Sequence, residues 1–126
     1  MADTRVQSKY LGKHEVAAGA KDAAAPTEAQ LIKNTRFDSL LSVTVELTGA
    51  AGTVAITAYA GTGDAIGENN GFGLAGKQVI VYGGTAVKKT YPLLSHGKDV
   101  GFYVDDNAGG NITPACTIKV NGSSEN

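Results

Sequence analysis

Four places in this 126-residue chain hold residues whose types and spacing could do chemistry. The first is Asp105-Asp106-Asn107, followed by Gly109, Gly110 and Asn111, which gathers oxygen ligands as a calcium loop does. An EF-hand needs a carboxylate at the twelfth position, and here that residue is Cys116. The segment therefore reads as an Asx-rich turn in which Asp and Asn bond their own backbone, with no metal bound. The second is Gly71-Phe72-Gly73-Leu74-Ala75-Gly76, a match to the dinucleotide pattern G-x-G-x-x-G. That fingerprint must follow a strand and open a helix, so that the helix N-terminus meets the pyrophosphate. Here it follows a polar loop and leads into the β-branched run Val79-Ile80-Val81, and Tyr91 stands where an acidic residue is needed. It reads as a flexible glycine loop.

The third and fourth are the histidines and the single cysteine. His14 and His96 each lack a Cys, His or carboxylate at metal-ligand spacing. Cys116 alternates with Ile118 and Val120, which marks it as a small core hydrophobe and not a nucleophile. One cysteine allows no intrachain disulfide. Tyr59 and Tyr103 fall on the faces opposite their apolar neighbours and are expected half-buried under a loop or in an interface. No catalytic residue, cofactor site or metal site is expected, and the chain reads as a non-enzyme.

The elements that would position these residues are strands. Leu41 to Thr48 and Thr53 to Ala60 both alternate with period two. Joined by Gly49-Ala50-Ala51-Gly52, they read as a hairpin that sets Val45 opposite Ile56 and Thr44 opposite Thr57. Gln78 to Tyr82 reads as a well-buried strand, and with the hairpin signal Gly83-Gly84 and Thr85 to Tyr91 it forms a second expected hairpin, pairing Ile80 with Val87 and Gln78 with Lys89. Pro92 ends that strand or places it at an edge. Val100, Phe102 and Val104 alternate, as do Cys116, Ile118 and Val120, with the loop Asp106 to Pro114 between them. Thr27 to Gln30 fits a capping box, and Leu31 to Phe37 is expected to be a strand that bends at Asp38-Ser39.

The 17 glycines fall between apolar runs as turn punctuation, and no segment supports a long helix. The fold class is thus all-β, a single antiparallel β-sandwich of jelly-roll or Greek-key type with an N-terminal arm. The expected division is an arm over residues 1–26, a sandwich over 27–121 and a polar C-terminal tail over 122–126. The arm has few bulky side chains, and Val6, Tyr10, Leu11 and Val16 are its anchors. Arg5, Tyr10, Leu11, Lys13 and His14 are its candidate partner-binding residues.

Net charge is −1, and Lys88-Lys89 is the only adjacent basic pair, so no nucleic-acid partner is expected. No apolar run reaches the ~20 residues that span a bilayer, so no membrane is expected. The N-terminus carries Asp3, Arg5, Lys9 and Lys13 without an apolar core and reads as no signal peptide, which implies synthesis in a cytoplasm.

By overall character the chain resembles the small decoration, or cement, proteins of tailed-phage capsids. The resemblance lies in the arm Ala2 to Pro26, the Gly/Ala/Thr-rich strands Val43 to Ala60, and the run Val100-Gly101-Phe102-Tyr103-Val104-Asp105-Asp106-Asn107. It implies a virion protein of a bacteriophage that binds the major capsid protein, assembles as a symmetric homo-oligomer on the outer capsid surface and clamps neighbouring capsid subunits. A tail or fibre domain, or a carbohydrate- or ligand-binding sandwich, is the alternative. The absence of Trp speaks against the last.

Overall fold

In the computed structural model, residues 6–62, 65–67 and 70–125 are described. Seven strands build two antiparallel sheets: β1 (Val6–Val16), β2 (Leu40–Gly49), β3 (Gly52–Ala60), β4 (Lys77–Tyr82), β5 (Val87–Leu94), β6 (Val100–Asp105) and β7 (Pro114–Glu125). One sheet has the order β1-β7-β2-β5 and the other β4-β3-β6. The chain is an all-β sandwich. Its core forms where the alternating apolar residues of the two sheets meet. Leu41, Val43, Val45 and Leu47 of β2, with Cys116, Ile118 and Val120 of β7, face Val54, Ile56 and Ala58 of β3 and Val100, Phe102 and Val104 of β6.

Strands β2, β3, β6 and β7 lie where alternation puts them, but both expected hairpins are wrong. Val45 pairs with Lys89 and Ile118, and Ile56 pairs with Gln78 and Val104. Likewise Ile80 pairs with Val54, and Val87 with Leu47. Each short loop is an arch that carries the chain from one sheet to the other. Alternation states which side chains share a face; it does not state whether two such faces lie side by side or oppose one another across a core. Opposition covers the apolar faces of both strands at once. Gly49 makes the first arch possible, because its backbone takes φ 97°, a left-handed value that a side chain disfavours.

Three further expectations need correction. Residues 6–16 are not a loose arm: they form edge strand β1, paired with β7 from Val6↔Glu125 to Val16↔Cys116 with a bulge between Tyr10 and Gly12. The same ladder takes in residues 122–125, so they are strand and not a fraying tail. Both ends of the expected 27–121 sandwich therefore extend outward. The segment Leu31 to Phe37 is not a strand. It follows a 3-10 turn, Glu28–Gln30, in which Gln30 Oε1 accepts from Thr27 N–H at 2.9 Å, and it makes one bridge, Ile32↔Val100.

Residues 17–34 run along the outer edge of β6 and supply the hydrogen bonds a further strand would give. Ile32 and Val100 exchange both backbone bonds, and Asp22 N–H donates to Val104 C=O at 3.0 Å. At Gly101 a Cβ would come 2.6 Å from Pro26 Cγ and 2.8 Å from Leu31 Cδ2, so the close packing here favours glycine. Pro92 lies within β5 and is tolerated because, among the described residues, β5 pairs with β2 alone. Among the described residues no helix is long and apolar enough to cross a membrane.

Candidate functional site

The end of the sandwich where β2 begins and β5 finishes is organised by two buried polar side chains, Asn34 and Ser95. Buried polar groups need partners, and these two find theirs across the loops. The Asn34 side-chain amide donates to Asp38 C=O at 2.8 Å and Lys98 C=O at 3.3 Å, and its Oδ1 accepts from Asp38 N–H at 3.1 Å. Asn34 N–H donates to Asp99 Oδ1 at 2.8 Å, and Ser95 Oγ donates to Asp38 C=O at 3.0 Å. This knot ties residues 34–39 to residues 95–99. It leaves the loop's largest side chain outside: Phe37 is 78% exposed on backbone of φ 57°. Bulky residues rarely take that conformation.

Phe37 lines a shallow hollow of about 380 Å³ with Leu31, Gly61, Thr62, Gly97 and Lys98. At the same end, Leu40 and Leu94 are cross-strand partners on the outer face, 47% and 36% exposed. Lys33 pairs with Asp99 at 3.4 Å beside them, so charged groups rim an apolar tip. Alternation offered no sign of this surface, because Phe37 looked like strand interior.

The arm residues named from sequence divide. Tyr10 and Lys13 are exposed, and Lys13 Nζ lies 2.6 Å from Glu15, which raises the Lys13 pKa and lowers that of Glu15. Leu11 packs against the core. His14 is not alone: Nε2 lies 2.8 Å from Asp22 Oδ2, and that oxygen also accepts from Val104 N–H at 2.8 Å. His14 thus fastens β1 to β6 through Asp22, a structural duty. Leu11, Lys13 and His14 line one groove of about 500 Å³ with Gln30 and Ile32. Arg5 lies outside the described residues.

The remaining candidates are absorbed by structure. Asp106 Oδ1 accepts from the backbone N–H groups of Ala108 and Gly110, both at 2.8 Å, which holds its carboxyl below the usual carboxylate range. Asp105 accepts from Asn107 and Gly109 N–H, so the loop is an Asx turn. No group of three His, Cys, Asp or Glu poised for a metal occurs among the described residues. The glycine loop is anchored rather than free, because Phe72 is fully buried with ring centroids 5.9 Å from Tyr91 and 6.0 Å from Phe102. Burial pushes the Cys116 thiol up to about 12. His96 is exposed in a left-handed turn beside Gly97. Tyr59 and Tyr103 are half-buried on the outer face of β3 and β6.

The surface these residues define lies at one end of an all-β sandwich. Comparison with protein-family models, curated proteins and solved structures finds no match for the chain.

Proposed function

We propose that this chain is a structural virion protein that binds the outer capsid surface and stabilises the lattice by bridging neighbouring capsid subunits. The major capsid protein is its partner, and the virion is where it acts. The observation that carries the reading is Phe37. An aromatic ring held outward on left-handed backbone by a buried polar knot costs the free protein stability. With the ring 78% exposed, little of that cost is offset by contacts among the described residues, whereas a partner pocket closing over the ring would offset it. Exposed aromatics of this kind are the residues that dominate binding energy once a partner desolvates them.

The jelly-roll form of the sandwich, part of the same reading, is supported by strand order. With β1-β7-β2-β5 opposite β4-β3-β6, the chain crosses between sheets at β2–β3, β4–β5, β5–β6 and β6–β7. The 17–34 segment then occupies the place of an eighth strand beside β6.

The mechanism is linkage. A protein that binds the assembled lattice and not its free subunits stabilises the lattice by its binding free energy, and the effect multiplies over many copies. Immunogold labelling of intact particles made from the genome that encodes this chain tests the reading. Label over the head supports it, and particles without label overturn it.

A further inference from the structure

Sheets with open edges recruit other strands, and natural chains guard those edges with charge, proline, bulges or cover. Three edges of this sandwich are guarded. β1 carries Lys9, Lys13, Glu15 and a bulge; β5 carries Lys88, Lys89 and Pro92; β6 is covered by residues 17–34. The fourth, β4, is not guarded. Among the described residues it pairs with β3 alone. Its outward side chains include Val79 at 46% and Val81 at 83% exposure, and residues 78–87 carry no charge. Its single cation, Lys77, sits at the strand's start and reaches away to Asn107 Oδ1 at 3.4 Å.

We infer that β4 is a self-pairing edge, which joins two copies of this chain about a two-fold axis into a continuous six-stranded sheet. The occupant is a second copy because the edge is complementary to itself. Antiparallel pairing centred on Ile80 sets Val79 opposite the partner's Val81 and Val81 opposite the partner's Val79. Gln78 then opposes Tyr82, and Lys77 opposes Gly83. Four valines form one apolar cluster on the outer face, Ile80 meets Ile80 on the core side, and no charge opposes a charge. A register shifted by two residues either way sets Lys77 opposite Val81 or Val79 opposite Gly83, so two of the four valines lose their valine partners. The pleat is preserved, because residues of the same face oppose one another. Such an isologous contact closes on itself and stops at two copies. It does not depend on the virion reading, since it needs no other protein.

The test uses the full chain in a concentration series by light scattering after gel filtration, comparing wild type, Val81→Lys and Thr90→Lys. Thr90 is exposed on the other sheet and serves as the control. Wild type and Thr90→Lys should reach the dimer mass. Val81→Lys should weaken association by about tenfold, because two cross-strand pairs are lost per dimer, with the monomer's melting temperature unchanged. Register is read by mild oxidation of Val79→Cys mixed with Val81→Cys, in which Cys116 stays buried and does not compete. The mixture should cross-link faster than either variant alone. A wild type that remains monomeric, a Val81→Lys protein of undiminished dimer mass, or faster cross-linking of either cysteine variant with itself would each overturn the inference.

Discussion

At Phe37 a bulky side chain sits on left-handed backbone and in solvent, two unfavourable conditions at one residue. Asparagine takes that conformation readily. Phe37→Asn should therefore raise folding stability by about 0.5–1 kcal/mol, read as a higher urea midpoint with unchanged slope. Asn34 behaves in the opposite way. Its amide satisfies Asp38 and Lys98 from a position only 2% exposed, so Asn34→Ala leaves buried backbone groups unpaired and should cost about 2–3 kcal/mol. A loss below half of that would mean the knot is not what holds the loop. Cys116 offers a pH test. Its folded pKa, about 12, lies above the ordinary thiol value. A raised pKa means that the thiol's contribution to stability is complete below the unfolded thiol pKa and is lost as pH rises toward 12. A thiol reagent at mildly alkaline pH should label it only as fast as the chain unfolds.

The elements show how far sequence could be read. Alternation located β2, β3, β6 and β7, because each presents one apolar face to the core; β4 stood out as an unbroken apolar run and was expected to be well buried, whereas Val79 and Val81 are exposed. Alternation did not reveal the strands' partners, since side-by-side pairing and opposition across a core satisfy the same pattern. Strand β1 escaped notice because an edge strand covers little core: Leu11 and Val16 face inward, while Lys9, Lys13 and Glu15 face water. The knot around Asn34 escaped because the partners that close it across the loops, Ser95, Lys98 and Asp99, lie 61 to 65 residues away. Of the candidate site, Phe37 was not legible, because it looked like strand interior, and of the anchors named in β1 Leu11 and Val16 pack inward while Tyr10 is exposed. Pairing with β7 and the His14–Asp22 clamp make β1 integral to the fold. Deleting residues 2–16 should lower the melting temperature by about 10 °C, equivalent to roughly 2–3 kcal/mol in a domain of this size. An unchanged melt would return β1 to the status of an arm.

For the molecule as a whole, one face of each strand carries the fold and the loops at one end carry the proposed contact. Val45 is fully buried between the sheets, so Val45→Asp should unfold the chain by burying an unpaired charge. Thr44 faces outward with its hydroxyl 3.1 Å from that of Thr90, so Thr44→Asp should cost under about 1 kcal/mol. Circular dichroism separates the two, and equal damage would mean that the outer face of that sheet is buried in an assembly. The central claim is that Phe37 presents this sandwich to a capsid surface. Co-sedimentation of wild type and Phe37→Asn with undecorated heads of the phage that the proposed function calls for tests it most directly. Wild type should pellet with the heads, and Phe37→Asn, folded and at least as stable, should remain in the supernatant. Equal binding by both proteins, or no binding by wild type, would contradict the account.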